Sequence, residues 1–234
     1  MRRLLPLLIC VIAATGATAS LENSVVVTGS VSVTTTAERA NLANLAVWLT
    51  PMGDAPRPAE SRAHLKMVQE NKRFTPHMMV VRVGSVVDFP NLDPFFHNVF
   101  SMYDGKRFDL GLYEAGASKS VTFSKPGICY VFCNIHPEMS AVIVAVETPY
   151  YTVSTKTGEI RIADVPPGRY TLNVWHERYA PATAADAPRD VTISEANRSL
   201  GVIRLVDTGK VIAPHKNKYG QEYDPPGSPN PVYR

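Results

Sequence analysis

From Val25 onward the chain is built of short β-branched and aromatic runs separated by turn residues, a pattern that leaves little room for anything but sheets. Runs at 25–27, 31–33, 45–49, 79–83, 86–89, 121–123, 129–133 and 141–146 predict a β-sandwich. Gly84 is expected to turn a hairpin between two of them, and Lys125-Pro126-Gly127 to open another strand. Residues 62–69 are the one stretch expected to form a short helix. A second, smaller all-β unit begins near Tyr151, with further short runs and a Pro166-Pro167-Gly168 turn. The tail from about Asp207 is rich in Pro, Gly, Asn and Lys, with Tyr219, Tyr223 and Tyr233 spaced along it, and composition leaves open whether it is disordered or laid over a domain. The expected division is a leader at 1–19, a first β domain at 20–149, a second at 150–206 and a tail at 207–234. The 20–149 piece is expected to hold its site alone.

The chain starts Met1-Arg2-Arg3, continues through an apolar stretch from Leu4 to about Gly16 and reaches Ala17-Thr18-Ala19 before Ser20. A charged start, an apolar centre and an A-x-A site describe a secretory leader, so export to the periplasm or beyond is expected. The stretch is shorter than the roughly 20 residues that cross a bilayer, and no later segment approaches that length, so no membrane span is expected. Setting aside Arg2 and Arg3 leaves 22 Lys and Arg against 21 Asp and Glu. With no basic block either, nothing marks a nucleic-acid or anionic-membrane surface. Cys10 falls within the leader, which leaves Cys129 and Cys133. Four residues apart along a strand, their Cα atoms stand roughly 13 Å apart, against about 4.4 to 6.8 Å for a disulfide. A thiol that cannot pair persists in an oxidising compartment when it is buried or bound.

Cys133-Asn134-Ile135-His136-Pro137-Glu138-Met139 puts a thiolate, an imidazole and a thioether at a strand end. Soft sulfur with intermediate nitrogen suits copper cycling between its two oxidation states, and a type 1 copper site takes two His, one Cys and a weak axial Met. The second imidazole comes from His97, which follows Asn91-Leu92-Asp93-Pro94-Phe95-Phe96 at the end of another run. Structural zinc takes four strong ligands, and Met is a poor fourth. One copper ion on His97, Cys133, His136 and Met139 is therefore the expected cofactor.

Residues 74–148, including Phe74-Thr75-Pro76, Phe89-Pro90-Asn91, His97-Asn98-Val99 and the C-x-x-H-P-x-M loop, resemble plastocyanin-type cupredoxins, and the loop spacing resembles that of amicyanins. With the Pro-Pro-Gly unit behind it, the chain resembles cupredoxin-like proteins labelled methylamine utilization proteins, whose second unit is similar to a carboxypeptidase regulatory-like or Ig-like β-sandwich. The resemblance implies an all-β chain with a Greek-key sandwich bearing copper near one end. It implies a near-planar His97, Cys133, His136 set with Met139 axial, and a hydrogen bond from the Asn98 N–H to the Cys133 sulfur. It also implies an apolar patch around the edge of His136 through which single electrons pass to a redox partner such as a c-type cytochrome or dehydrogenase. Glu138 departs from that pattern by setting a charge beside the patch. Two other functions remain open at this point: copper storage or delivery, and an interaction module with incidental copper.

Cys129 shares strand parity with Cys133 and is expected in the core, whereas Ile128, Tyr130 and Phe132 face the other way and are also apolar, which predicts a strand covered on both faces. Either the second unit or the N-terminal segment is expected to supply that cover. Trp175 is expected in the core with His176 and Glu177 exposed, and His64, His77 and His215 are expected to be solvated or structural. No H-x-H, G-x-S-x-G or H-E-x-x-H motif occurs, so the chain reads as a non-enzyme.

Overall fold

The computed structural model describes residues 24–35, 41–53, 63–102, 106–209 and 215–223, and the expected leader lies outside them. The described residues form strands β1 (Val25–Thr34), β2 (Ala46–Pro51), β3 (His64–Lys66), β4 (Val68–Glu70), β5 (Arg73–Thr75), β6 (Met78–Arg82), β7 (Val86–Pro90), β8 (His97–Ser101), β9 (Phe108–Tyr113) and β10 (Ser118–Thr122). They continue with β11 (Gly127–Phe132), β12 (Ser140–Val146), β13 (Tyr151–Val153), β14 (Glu159–Val165), β15 (Gly168–Trp175), β16 (Tyr179–Pro181), β17 (Arg189–Ile193) and β18 (Ser199–Asp207). The protein is all-β, and no described helix is long and apolar enough to cross a membrane.

One sandwich packs the sheet β10-β7-β3 against the sheet β6-β12-β11-β8-β9. Met67, Phe89, Val99, Phe123, Val131 and Ile143 are among the side chains buried between them. The helix expected at 62–69 is not formed: residues 64–66 and 68–70 are strands, and Leu65, Met67 and Gln69 turn inward at the period of two that strands impose. Gly84 does turn the chain, at φ 92°, but β6 and β7 belong to opposite sheets, so the turn is a crossing between layers rather than a hairpin. Antiparallel pairing sets Phe132 of β11 opposite Phe100 of β8. That register carries the end of β11 to the start of β8, which is where Cys133 and His97 lie.

The second sandwich is larger than its sequence expectation. β1 lies between β14 and β18, and β2 between β13 and β15, so the two N-terminal strands expected in the 20–149 domain belong to sheets completed by residues 151–207. Alternation tells a strand which residues face inward but not which sheet it joins, so a boundary drawn from sequence order assigned them to their neighbours in the chain. Val27, Val31, Leu49, Ile162, Leu172 and Ile203 fill the core between the sheets β14-β1-β18-β16 and β13-β2-β15-β17. Gly158 shows how closely the two segments approach: at φ 82°, an added Cβ would stand 2.8 Å from Leu42 Cδ1 and 3.0 Å from the Val31 carbonyl. Pro166 and Pro167 carry the chain from one sheet to the other, and the Tyr170 hydroxyl donates to the Pro166 carbonyl at 2.7 Å.

The expected second cover over β11 is present, and it draws on both candidates. Val142, Val144, Met78 and Val80 on the outer face of the first sandwich pack with Ala46 and Trp48 of β2 and with Tyr151 and Trp175 of the second unit. Trp175, expected in a domain core, instead meets Tyr130 edge-on at 6.1 Å across this interface. Glu177 is not a free surface charge, since its Oε2 lies 2.8 Å from His77 Nε2 while His77 Nδ1 lies 3.1 Å from the Ser140 carbonyl. Both partners accept from the protonated ring, and its pKa is raised, first by the hydrogen bond to Glu177 and against the cost of burial. A raised folded value means that this contact stabilises fully below the unfolded value of about 6.5 and fades as pH rises through the folded one. The His77 side chain is 41% exposed, so the contribution is about 1 kcal/mol or less. Comparing thermal unfolding of wild type and Glu177→Gln from pH 6 to 8 should show the wild-type advantage shrinking as pH rises, and a constant difference would refute it.

Candidate metal centre

Two loops from neighbouring strands make the site. The first follows β11: the Cys133 N–H donates to the Met139 carbonyl at 3.2 Å and the Met139 N–H to the His136 carbonyl at 3.0 Å, closing residues 133–139 on themselves. The second is the run from Asn91 to His97. Asn91 Oδ1 accepts the Asp93 N–H at 3.0 Å while its Nδ2 donates to the Phe95 carbonyl at 2.8 Å, so one buried side chain shapes the turn from inside.

Three expected ligands converge. Cys133 Sγ is 3.7 Å from His97 Nδ1 and 3.6 Å from His136 Nδ1, and the two nitrogens are 3.2 Å apart. The point equidistant from all three atoms of that triangle lies about 2.0 Å from each, close to the bond an imidazole nitrogen makes to a divalent transition metal, about 2.0 Å. The donor set and its spacing therefore fit a copper ion. His97 and Cys133 are fully buried, His136 is half-buried, and Met139 is buried in the same core as Cys133. Pro137 and Glu138 point outward.

The nitrogen His97 offers is fixed by Asp93, a residue to which sequence reasoning assigned no role. Asp93 Oδ2 lies 2.7 Å from His97 Nε2, and a carboxylate accepts, so Nε2 carries the proton and the Nδ1 lone pair faces the triangle. Asp93 is held in turn by the N–H groups of Asn71 at 2.7 Å and Lys72 at 3.0 Å. Those two residues adopt φ of 55° and 54°, a left-handed pair that aims both N–H groups at one carboxylate. Burial, the largest single influence on Asp93, pushes its pKa up, but the Lys72, His97 and Asn71 hydrogen bonds together hold it below the ordinary value. The available signal was an Asp four residues before a candidate ligand His, but a loop gives no fixed spacing by which to read it.

Burial raises the pKa of the Cys133 thiol, while backbone N–H groups of Asn98, Ile135 and His136 directed at the sulfur pull the other way. The Asn98 contact is the one the family resemblance implied. Asn98 also reaches outward, donating from Nδ2 to Asp109 Oδ1 at 2.7 Å. Cys129 is a free, buried thiol whose sulfur meets Ser101 Oγ at 3.3 Å, and burial raises its pKa to about 11. It takes no part in the triangle.

No protein-family model matches the chain, and no curated protein matches it. Solved structures do. A copper-containing nitrite reductase from Thermus scotoductus SA-01 is similar at 24% identity and a TM-score of 0.36 over 42% of this chain, which spans 26% of that enzyme. A purple cupredoxin from Nitrosopumilus maritimus is similar at 19% identity and a TM-score of 0.32, over 35% of this chain and 99% of that one. Amicyanin from Paracoccus versutus is similar at 19% identity and 0.33, over 42% and 91%.

Asp93→Asn keeps the size of the side chain but removes the charge that holds His97, and losing such a support typically costs roughly 10 to 100-fold in metal affinity. Competition with a chelator should show that loss, while unfolding of the metal-free chain changes far less. Equal affinity in the two proteins would show that the carboxylate does not orient the ring.

Proposed function

We propose that the protein is a type 1 copper protein that carries single electrons between redox proteins in the periplasm, where His97, Cys133 and His136 would hold the metal and Met139 would be a weak fourth ligand. The triangle of donor atoms carries this reading: its sides match one ion. Copper in such a site alternates between +1 and +2. The chain's own contribution is rigidity. Asp93 fixes the tautomer of His97, the 133–139 loop fixes the distance between Cys133 and His136, and the surrounding core keeps water from the sulfur. Little has to move when charge changes, which keeps transfer fast.

His136 supplies the route outward. Its ring is half-buried and lies 5.6 Å from that of Phe95, beside which Leu92 and Phe96 are exposed at 57% and 55%. An apolar rim of this kind fits brief docking by a c-type cytochrome or a dehydrogenase better than tight assembly. Glu138 is exposed beside it and adds a charge that a partner would read. No catalytic group is assigned, and the chain is proposed as a carrier rather than an enzyme. Voltammetry of the copper-loaded protein should give a reversible one-electron wave in the range of c-type cytochromes. An irreversible response, with copper lost quickly to a chelator, would favour storage or delivery and overturn the carrier reading.

A further inference from the structure

The described part of the C-terminal tail, residues 215–223, lies across the copper-loop end of the first sandwich, and its polar contacts concentrate on residues that adjoin the triangle. The Tyr223 hydroxyl is 3.0 Å from the Cys133 carbonyl and 3.0 Å from His215 Nε2. A carbonyl only accepts, so the tyrosine proton points to Cys133 and the Nε2–H of His215 donates to the tyrosine oxygen. The His215 ring stacks on Phe132, the residue before Cys133, with centroids 3.8 Å apart and planes 16° apart. The Lys218 N–H donates to Asn134 Oδ1 at 2.8 Å, and Asn134 follows Cys133. Lys218 Nζ lies 2.8 Å from Asp109 Oδ2, and the other oxygen of that carboxylate receives Asn98 Nδ2 at 2.7 Å, where Asn98 follows His97.

The tail thus grips Cys133 itself and both of its chain neighbours, and reaches the residue after His97 through one carboxylate. We propose that residues 215–223 are a clamp that positions Cys133 for its ligand role, with Tyr223 and Lys218 as positioning residues. The clamp deepens the copper reading, because it rests on Cys133 as the ligand. Its contacts are made by a segment distant in sequence and tied down at few points, so the strand end that carries Cys133 is held by a piece of chain that can lift without unfolding either sandwich.

Cys129 provides an internal control: it is buried in the same core, and its sulfur partners, Ser101 and Lys106, are not in the tail. The test is alkylation of the metal-free chain by iodoacetamide, with peptide mapping to follow each cysteine separately. In Tyr223→Phe, which loses one hydrogen bond and keeps the ring, Cys133 should react roughly fivefold faster, and in a chain ending at Gly209 roughly a hundredfold faster. Cys129 should keep its wild-type rate in both. Release of copper to a chelator should accelerate in the same order. An unchanged Cys133 rate in both variants would overturn the clamp, as would a rise matched by Cys129, since that would report general loosening. Because the thiol assay needs no metal, failure of the wild type to bind copper would sink the proposed function, while the alkylation rates would still decide for or against the clamp.

Discussion

Cys133→Ser should abolish the intense blue or green band that Cu(II) is expected to give with the wild-type chain. That band arises from charge moving from a thiolate sulfur into the half-empty copper orbital, and Cys133 is the one sulfur in the triangle able to carry the charge. A serine hydroxyl is nearly isosteric and can still accept from the N–H groups of Asn98, Ile135 and His136 that face the sulfur, so the sandwich should remain folded. Copper can still bind the two imidazoles, but only weak d–d absorption should remain. His97→Ala should instead leave an open position that added imidazole refills, because Asp93 and the buried wall around His97 shape a space for such a ring. His64→Ala serves as the control. Its imidazole sits at the surface, 3.6 Å from Asp88 and outside the triangle, and its loss should leave the spectrum unchanged. A wild-type complex with only weak absorption would refute the assignment of Cys133.

The parts of the site legible in the sequence are those whose chemistry is local. Cys133, His136 and Met139 fall within one loop, and their ligand types already name a metal class, so order along the chain was sufficient. His97 needed a second step, a histidine placed where a strand begins, and the register of β11 against β8 supplies the physical link. What could not be read are the contacts that close over long separations. Asp93 meets the turn at Asn71 and Lys72 through backbone N–H groups, which no side-chain pattern announces. Tyr223 reaches back 90 positions to Cys133. Residues 64–70 were obscured for a different reason: Gln69 is polar yet fully buried, donating to the Phe89 carbonyl at 3.3 Å, and a buried amide breaks the alternation by which a strand is recognised. The largest gap is the membership of β1 and β2, since hydrophobic alternation is identical whichever sandwich a strand completes.

That membership has a drastic consequence for truncation. A chain cut after residue 149 keeps β1 and β2 but loses β13, β14, β15 and β18, which are all their pairing partners. Val27, Val31, Val47 and Leu49 would then face water, each forfeiting about 1.5 to 3 kcal/mol of burial, and the open strand edges would invite association. The first sandwich is not cut in this way, because both of its sheets are drawn from residues 64–146. It does lose the cover over Val142, Val144, Met78 and Val80, which leaves an apolar face exposed. The 20–149 fragment should therefore not behave as an independent folded unit. Residues 25–51 should exchange amide hydrogens at close to unfolded rates, limited proteolysis should trim the chain toward residue 63, and the remainder should self-associate through the uncovered face of β12. In the full chain β1 and β2 should be among the most protected segments, since each is paired on both sides. Hydrogen exchange read by mass spectrometry on fragment and full chain decides the matter, and strong protection of residues 25–51 in the fragment would show that the N-terminal strands have a home in the first sandwich after all.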